Sequence, residues 1–74
     1  MDHASLINLW PSLSDFANDI GVSYGTAKAM RRRNSIPSEY WLGMVSRGSE
    51  RGIDSVSLEA LAEAAATPME SFHG

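Results

Sequence analysis

Apolar side chains recur along this chain every three or four positions, which is the spacing of amphipathic helices. Capping and turn-forming residues interrupt the pattern and divide it into about five short helices. The pattern therefore predicts an all-α fold, a compact bundle of about five short helices. We expect residues 1–66 to form a single domain and residues 67–74 to form a flexible C-terminal tail.

Recognisable start and stop residues bound the first three helices. Asp2 is expected to cap the first helix and Pro11 to end it. The apolar residues that should face the core from this helix are Leu6, Ile7, Leu9 and Trp10. Ser12 is expected to cap the second helix. The third helix is predicted over residues 23–33, because Asn34 readily adopts the left-handed conformation that ends a helix.

The second half of the chain predicts two more helices. Pro37 suits the first turn of the fourth helix, whose apolar stripe is Tyr40, Trp41, Met44 and Val45. Gly48 leaves open whether residues 38–51 form one continuous helix or two pieces. Gly52 should end this element, and Ser57 should cap a last helix over residues 58–66. One face of that helix carries Leu58, Leu61, Ala62 and Ala65. We expect this face to pack in the core, with a helix-to-helix dimer contact as the alternative.

Residues 13–32 place small side chains where the second and third helices must cross. Phe16 and Ile20 lie one turn apart on the second helix. The opposing apolar surface consists of Val22, Ala27 and Met30. Ala17 keeps the crossing point small, and Gly21 can take the left-handed conformation that turns the chain sharply. This arrangement predicts a helix-turn-helix, with a plain helical hairpin of similar packing as the alternative.

The residues of this segment follow a recognisable order, Phe16-Ala17-x-x-x-Gly21-Val22-Ser23, with Ala27 and Met30 beyond it. A looser match continues after the third helix as Arg32-Arg33-x-x-Ile36-Pro37. The pattern resembles the Cro and CI type of phage repressor, an XRE-like helix-turn-helix family, and its main part covers about a quarter of the chain. The resemblance implies a DNA-binding regulator of transcription, a short Cro-like repressor that occupies a promoter in a phage or prophage control region.

Composition excludes several classes of protein. The chain contains no cysteine, which rules out disulfides and thiolate metal sites such as zinc fingers. No apolar run approaches the roughly 20 residues needed to cross a bilayer, and the N-terminus lacks the basic start of a signal peptide. We therefore expect a cytoplasmic protein that does not bind a membrane.

The formal net charge of −3 argues at first against a nucleic-acid partner, but the charge is unevenly distributed. Four of the six basic residues lie close together on the third predicted helix, which leaves two basic and nine acidic residues elsewhere. These four are Lys28, Arg31, Arg32 and Arg33. A focused positive patch steers a polyanion to one orientation. Taken alone, the basic run would equally suit a solvated helix end, which the helix dipole favours.

The third helix should present a defined face to DNA. With Ala27 and Met30 buried, a rotation of about 100° per residue places four residues on the opposite side. These predicted base-contacting residues are Gly25, Lys28, Ala29 and Arg32. Gly25 would let the backbone approach the base edges, although a simple surface glycine is the alternative. Lys28 and Arg32 are long enough to reach guanine, and Ala29 can touch a thymine methyl group.

A second set of residues should contact the phosphates on both sides of the major groove. These are Ser12, Ser14, Tyr24, Thr26, Arg31 and Arg33. The N-terminus of the second helix supplies free amides and a partial positive charge for one phosphate. Asp15 opposes this role, because its carboxylate competes for the same donors as a helix cap.

A module of this size buries too little surface for tight specific binding alone, so we predict a homodimer on a palindromic operator. Its two reading helices should lie about 34 Å apart, one turn of DNA. The dimer surface stays open between residues 58–66 and the surface around Trp41.

Two other classes compete with this reading. An enzyme is disfavoured because His3 and His73 lie near opposite ends of the chain, where we expect fraying. We accordingly expect no cofactor, metal or small-molecule substrate. The second alternative is an antitoxin-like or adaptor module that binds a protein partner, which is compatible with autorepression of its own small operon.

Overall fold

The computed structural model describes residues 1–66. These residues form five α-helices and one 3₁₀ turn, and they contain no strand, which confirms the predicted all-α class. The helices are α1 (His3–Ile7), α2 (Leu13–Ile20), α3 (Tyr24–Arg33), α4 (Trp41–Glu50) and α5 (Leu58–Ala65), with the 3₁₀ turn at Ser38–Tyr40. The predicted tail at residues 67–74, which includes His73, lies outside the described residues. None of the described helices is long and apolar enough to cross a bilayer.

Side-chain caps begin four of the helices; those at Asp2, Ser12 and Ser57 were predicted from the sequence, whereas Ser23 was predicted as the first residue of α3 and is its cap. Asp2, Ser12, Ser23 and Ser57 each accept a hydrogen bond from the backbone amide three residues further along. The left-handed exits are confirmed as well: Gly21 has φ 76° at the end of α2, and Asn34 has φ 55° at the end of α3. Local chemistry therefore sets most of the helix boundaries.

Gly48 does not break the fourth helix. α4 runs without interruption from Trp41 to Glu50, which settles the choice left open by the sequence. Gly48 is buried, and a β-carbon at this position would lie 3.4 to 3.5 Å from the Ile53 carbonyl oxygen and from side-chain atoms of Trp10 and Val56. The glycine therefore lets these neighbours pack closely against the helix backbone.

The core forms where α1, α2, α3, α4 and α5 converge. Its largest fully buried side chains are Phe16, Leu6, Ile7, Met44 and Leu61. Ala17 and Ala27 are almost completely buried, and α2 and α3 contact each other. The close approach of these two helices, predicted from their small residues, is thereby confirmed.

Four predicted core positions are wrong, one on the first helix and three on the last. Leu9 is 37% exposed, because α1 ends at Ile7 and the following turn no longer keeps the helical spacing that would bury it. Leu58 is 45% exposed, and Ala62 and Ala65 are also exposed. Only Leu61 of the predicted face is buried, because α5 packs against α1 and α4 with Leu61 pointing into the core. The outer side of α5 therefore remains open to solvent.

His3 does not lie in a fraying end but in the core, where it is 3% exposed. Its Nδ1 accepts a hydrogen bond from the Ile36 amide at 2.8 Å, which assigns the ring proton to Nε2. Nε2 donates to the carbonyl oxygen of Leu61 at 2.9 Å. The ring also meets Trp41 edge to face, with 5.9 Å between centroids. His3 therefore joins α1 to α5 and to the segment that follows α3.

Candidate nucleic-acid interface

The orientation of α3 follows from the two residues that it buries. Ser23 caps the helix by accepting from the Thr26 amide at 3.1 Å. Ala27 and Met30 are buried one turn apart, and the helix contacts both α1 and α2. Asn34 fixes the other end, because its side-chain oxygen accepts a hydrogen bond from the amide of Ala4 at 2.8 Å. One side of α3 is thus seated on the bundle and the opposite side faces outward.

The outward side carries the four residues predicted to contact bases. Gly25, Lys28 and Arg32 are exposed, whereas Ala29 is half-buried at the edge of this face. A β-carbon at Gly25 would have only the Ser23 hydroxyl oxygen as a neighbour, at 4.0 Å. The protein itself therefore does not require glycine at this position, and the helix backbone there is accessible from outside.

The basic residues of the chain fall into two groups. Arg47 is ion-paired with Glu50 at 3.2 Å, and Arg51 pairs with Asp19 and more distantly with Asp15. By contrast, no described acidic side chain forms an ion pair with any of the four basic residues of α3. Those four are Lys28, Arg31, Arg32 and Arg33. The charge available for an external anion is therefore concentrated on α3.

Arg51 is engaged in a network that joins α2 to the end of α4. Its guanidinium donates to both carboxylate oxygens of Asp19, and Trp10 donates its indole N–H to the same carboxylate at 2.8 Å. The hydrogen bond from Arg51 is the main reason why the pKa of Asp19 is lowered. This arginine is therefore committed to the fold.

One flank of α3 borders a cleft of about 230 Å³. Thr26 and Arg33, two of the predicted phosphate-contacting residues, lie on the α3 side of this cleft together with Ala29. The opposite wall comes from the segment after α3 and includes Glu39 and Tyr40. The sequence pattern alone does not place this second wall, because its position depends on how the 3₁₀ turn folds back toward α3.

The other flank places Arg31 at a second cleft, of about 200 Å³. Arg31 is half-buried there and shares the cleft with Asn8 from the end of α1 and with Ser12 and Leu13 at the start of α2. The sequence predicted phosphate contacts for Arg31 and Ser12 separately, and the fold brings them together.

Ser12 also takes part in a helix cap. Its hydroxyl accepts from the Asp15 amide at 3.1 Å and donates to the Asp15 carboxylate at 3.0 Å. Ser12 thus caps α2 as the sequence predicts, and the Asp15 carboxylate engages the Ser12 hydroxyl. Because the hydroxyl proton is used, any anion at this end of α2 would meet backbone amides and Arg31 first. The remaining predicted contacts, Ser14 and Tyr24, are exposed.

Within residues 1–66, histidine and carboxylate side chains form no cluster that could hold a metal ion.

Neither a protein-family model nor a curated protein nor a solved structure matches this chain.

Proposed function

We propose that this protein is a sequence-specific DNA-binding regulator of transcription, and that α3 is the helix that enters the major groove. The observation that carries the proposal is the distribution of charge. Four basic side chains on one helix have no described acidic partner, although the chain has a net charge of −3. One side of α3 packs on the bundle, and its other sides carry positive side chains. Such a helix can enter the major groove of a duplex and contact the phosphates on both sides of the groove.

The exposed face of α3 would read the bases. Lys28 and Arg32 lie one turn apart, and the guanidinium fork of Arg32 suits a bidentate contact with O6 and N7 of guanine. Gly25 has no side chain, so the backbone at the start of α3 can approach the base edges closely. Ala29, at the edge of the face, suits the methyl group of thymine.

The two flanks would hold the phosphate backbones on either side. Arg31 lies with the first amides of α2, which favour an anion through the helix dipole. Arg33 lies with Thr26 on the opposite flank. The exposed Ser14 and Tyr24 complete the set, and Ser12 contributes through its backbone. Contacts of this kind position the helix without reading sequence.

The residue pattern shared with Cro-like repressors supports a homodimer that represses by occupying a palindromic operator. In such a dimer the two copies of α3 would lie about 34 Å apart. This spacing lets both helices enter the same side of the duplex at successive turns.

Selection of bound fragments from random duplex DNA, followed by footprinting of the enriched sequence, tests this proposal. We expect a palindrome with half-sites about 10 base pairs apart. The double variant Lys28→Gln with Arg32→Gln should lose the enrichment. The control is Arg47→Gln, which removes one exposed positive charge outside α3, against two in the double variant, and should retain the enrichment. No enrichment over shuffled DNA for the unaltered protein would refute the proposal.

A second candidate function is binding of a protein partner, either alone or together with autorepression. The observation that favours it is the open outer side of α5, where Leu58 is 45% exposed beside exposed Ala62 and Ala65. Light scattering measures the molar mass of the unaltered protein and of Leu58→Asp, and so distinguishes self-association through α5 from binding of another protein. An unaltered protein that is a dimer and a variant that is a monomer support self-association. If both are monomers, the outer side of α5 is available to another protein.

A further inference from the structure

Glu39 is the acidic residue that lines the cleft beside α3. It faces this cleft together with Arg33 and Thr26, the predicted phosphate contacts of that flank. Glu39 is exposed, and its carboxylate forms neither an ion pair nor a hydrogen bond with any described residue. Asp15, Asp19 and Glu50, in contrast, are each paired with an arginine. A free carboxylate therefore stands at the edge of the basic helix.

We propose that Glu39 is a negative charge that repels DNA phosphate from the cleft lined by Arg33 and so limits the affinity of the interface. The proposal rests on the proposed function of α3. A phosphate that approaches Arg33 would enter the cleft whose other wall carries Glu39. Arg33 and Glu39 both line this cleft of about 230 Å³, and a carboxylate in the cleft would repel a phosphate that enters it.

This effect acts on the phosphate contact and not on base reading. Glu39 should therefore weaken binding to all duplexes to a similar extent, because each sequence presents the same backbone. Removing its charge should strengthen binding and should make binding more sensitive to salt, since one more phosphate contact becomes effective.

Glu59 provides a matched control. It is exposed like Glu39, and each of the two residues lies in the first turn of a helical element. Replacing either residue with glutamine removes one negative charge and one favourable interaction with a helix N-terminus. Glu59 does not line the cleft, because it lies on α5. The two variants should thus show similar small decreases in Tm.

The test measures the Kd of Glu39→Gln and Glu59→Gln for a selected duplex and for a shuffled duplex over a range of salt concentrations. We expect Glu39→Gln to bind both duplexes about two- to fivefold more tightly at low salt, the range typical of one exposed charge pair. Glu59→Gln should change Kd less than twofold. In an Arg33→Gln background, the gain from Glu39→Gln should fall to the level of the control.

Three results would overturn the inference. Equal effects of Glu39→Gln and Glu59→Gln would show that only net charge matters. A gain that persists in the Arg33→Gln background would show that Glu39 acts on another group. Failure of the unaltered protein and every variant to bind DNA would refute the proposed function itself, and this inference with it.

Discussion

Replacement of Gly25 by alanine should move stability and DNA binding in opposite directions. Gly25 lies in the first turn of α3, where glycine costs about 0.5 to 1 kcal/mol relative to alanine. A β-carbon there would be 4.0 Å from the Ser23 hydroxyl oxygen, so the methyl group fits without strain. The variant should therefore be more stable, with a Tm raised by about 2–8 °C for a domain of this size.

In the complex with DNA the same methyl group would lie between the helix backbone and the base edges. Overpacking of a close interface typically costs about 1 to 3 kcal/mol, which corresponds to a Kd raised about 5- to 150-fold. Gly43→Ala is the matched control, because Gly43 is exposed on α4 and a β-carbon there would have no neighbour within 4 Å. This control should gain similar stability and keep the original Kd.

Thermal unfolding by circular dichroism and titration of the selected duplex by fluorescence anisotropy measure the two effects. If Gly25→Ala is stabilised and binds DNA as tightly as Gly43→Ala, then Gly25 is an ordinary surface glycine and the close approach of this turn to bases is wrong. If Gly25→Ala lowers Tm while Gly43→Ala raises it, the free space around Gly25 has been misjudged.

Three further predictions concern single side chains. Arg32→Ala should weaken DNA binding by about 1 to 3 kcal/mol, by an amount that depends on the base sequence. Arg31→Ala should weaken binding to all duplexes alike and lower the slope of log K against log salt concentration by about 1. Equal losses for both variants on every sequence in a binding titration would contradict these roles. His3→Ala should lower the free energy of unfolding by about 1 to 3 kcal/mol, because it leaves the buried amide of Ile36 without its partner and removes a second acceptor contact at the Leu61 carbonyl. A denaturant titration that shows no change would contradict the observed hydrogen bonds. Asp19→Asn should lower Tm more at pH 7 than at acidic pH. Arg51 lowers the pKa of the Asp19 carboxyl in the folded protein below its unfolded pKa of about 3.9. The carboxylate therefore stabilises the fold above the unfolded pKa, and this stabilisation is lost as the pH falls through the folded pKa. A Tm difference that is constant between pH 7 and pH 2 would contradict this last prediction.

The local sequence was sufficient to predict the helices and most of their ends. Serine and aspartate caps, Gly21 and Asn34 act through hydrogen bonds and backbone conformations that involve residues only a few positions away. The exposed positions on α3 were also predictable, because burial of Ala27 and Met30 fixes the rotation of a regular helix.

Long-range packing decided the features that the pattern could not predict. The apolar spacing on α5 was compatible with several rotations, and only contact with α1 and α4 selected Leu61 for the core and left Leu58 outside. His3 precedes Leu6 and Ile7 by three and four positions, a spacing that could have indicated burial. Its two partners, however, lie 33 and 58 residues away in sequence.

The candidate interface divides in the same way. The sequence by itself determined which helix carries the positive charge and which of its residues point outward, since both depend on composition and helical rotation. Only the tertiary structure placed Arg31 beside the start of α2 and Glu39 in the cleft that Arg33 lines, and only it paired Arg51 with Asp19. The physical reason is that helical spacing is a local property, whereas the neighbours of a charge depend on how separate helices pack.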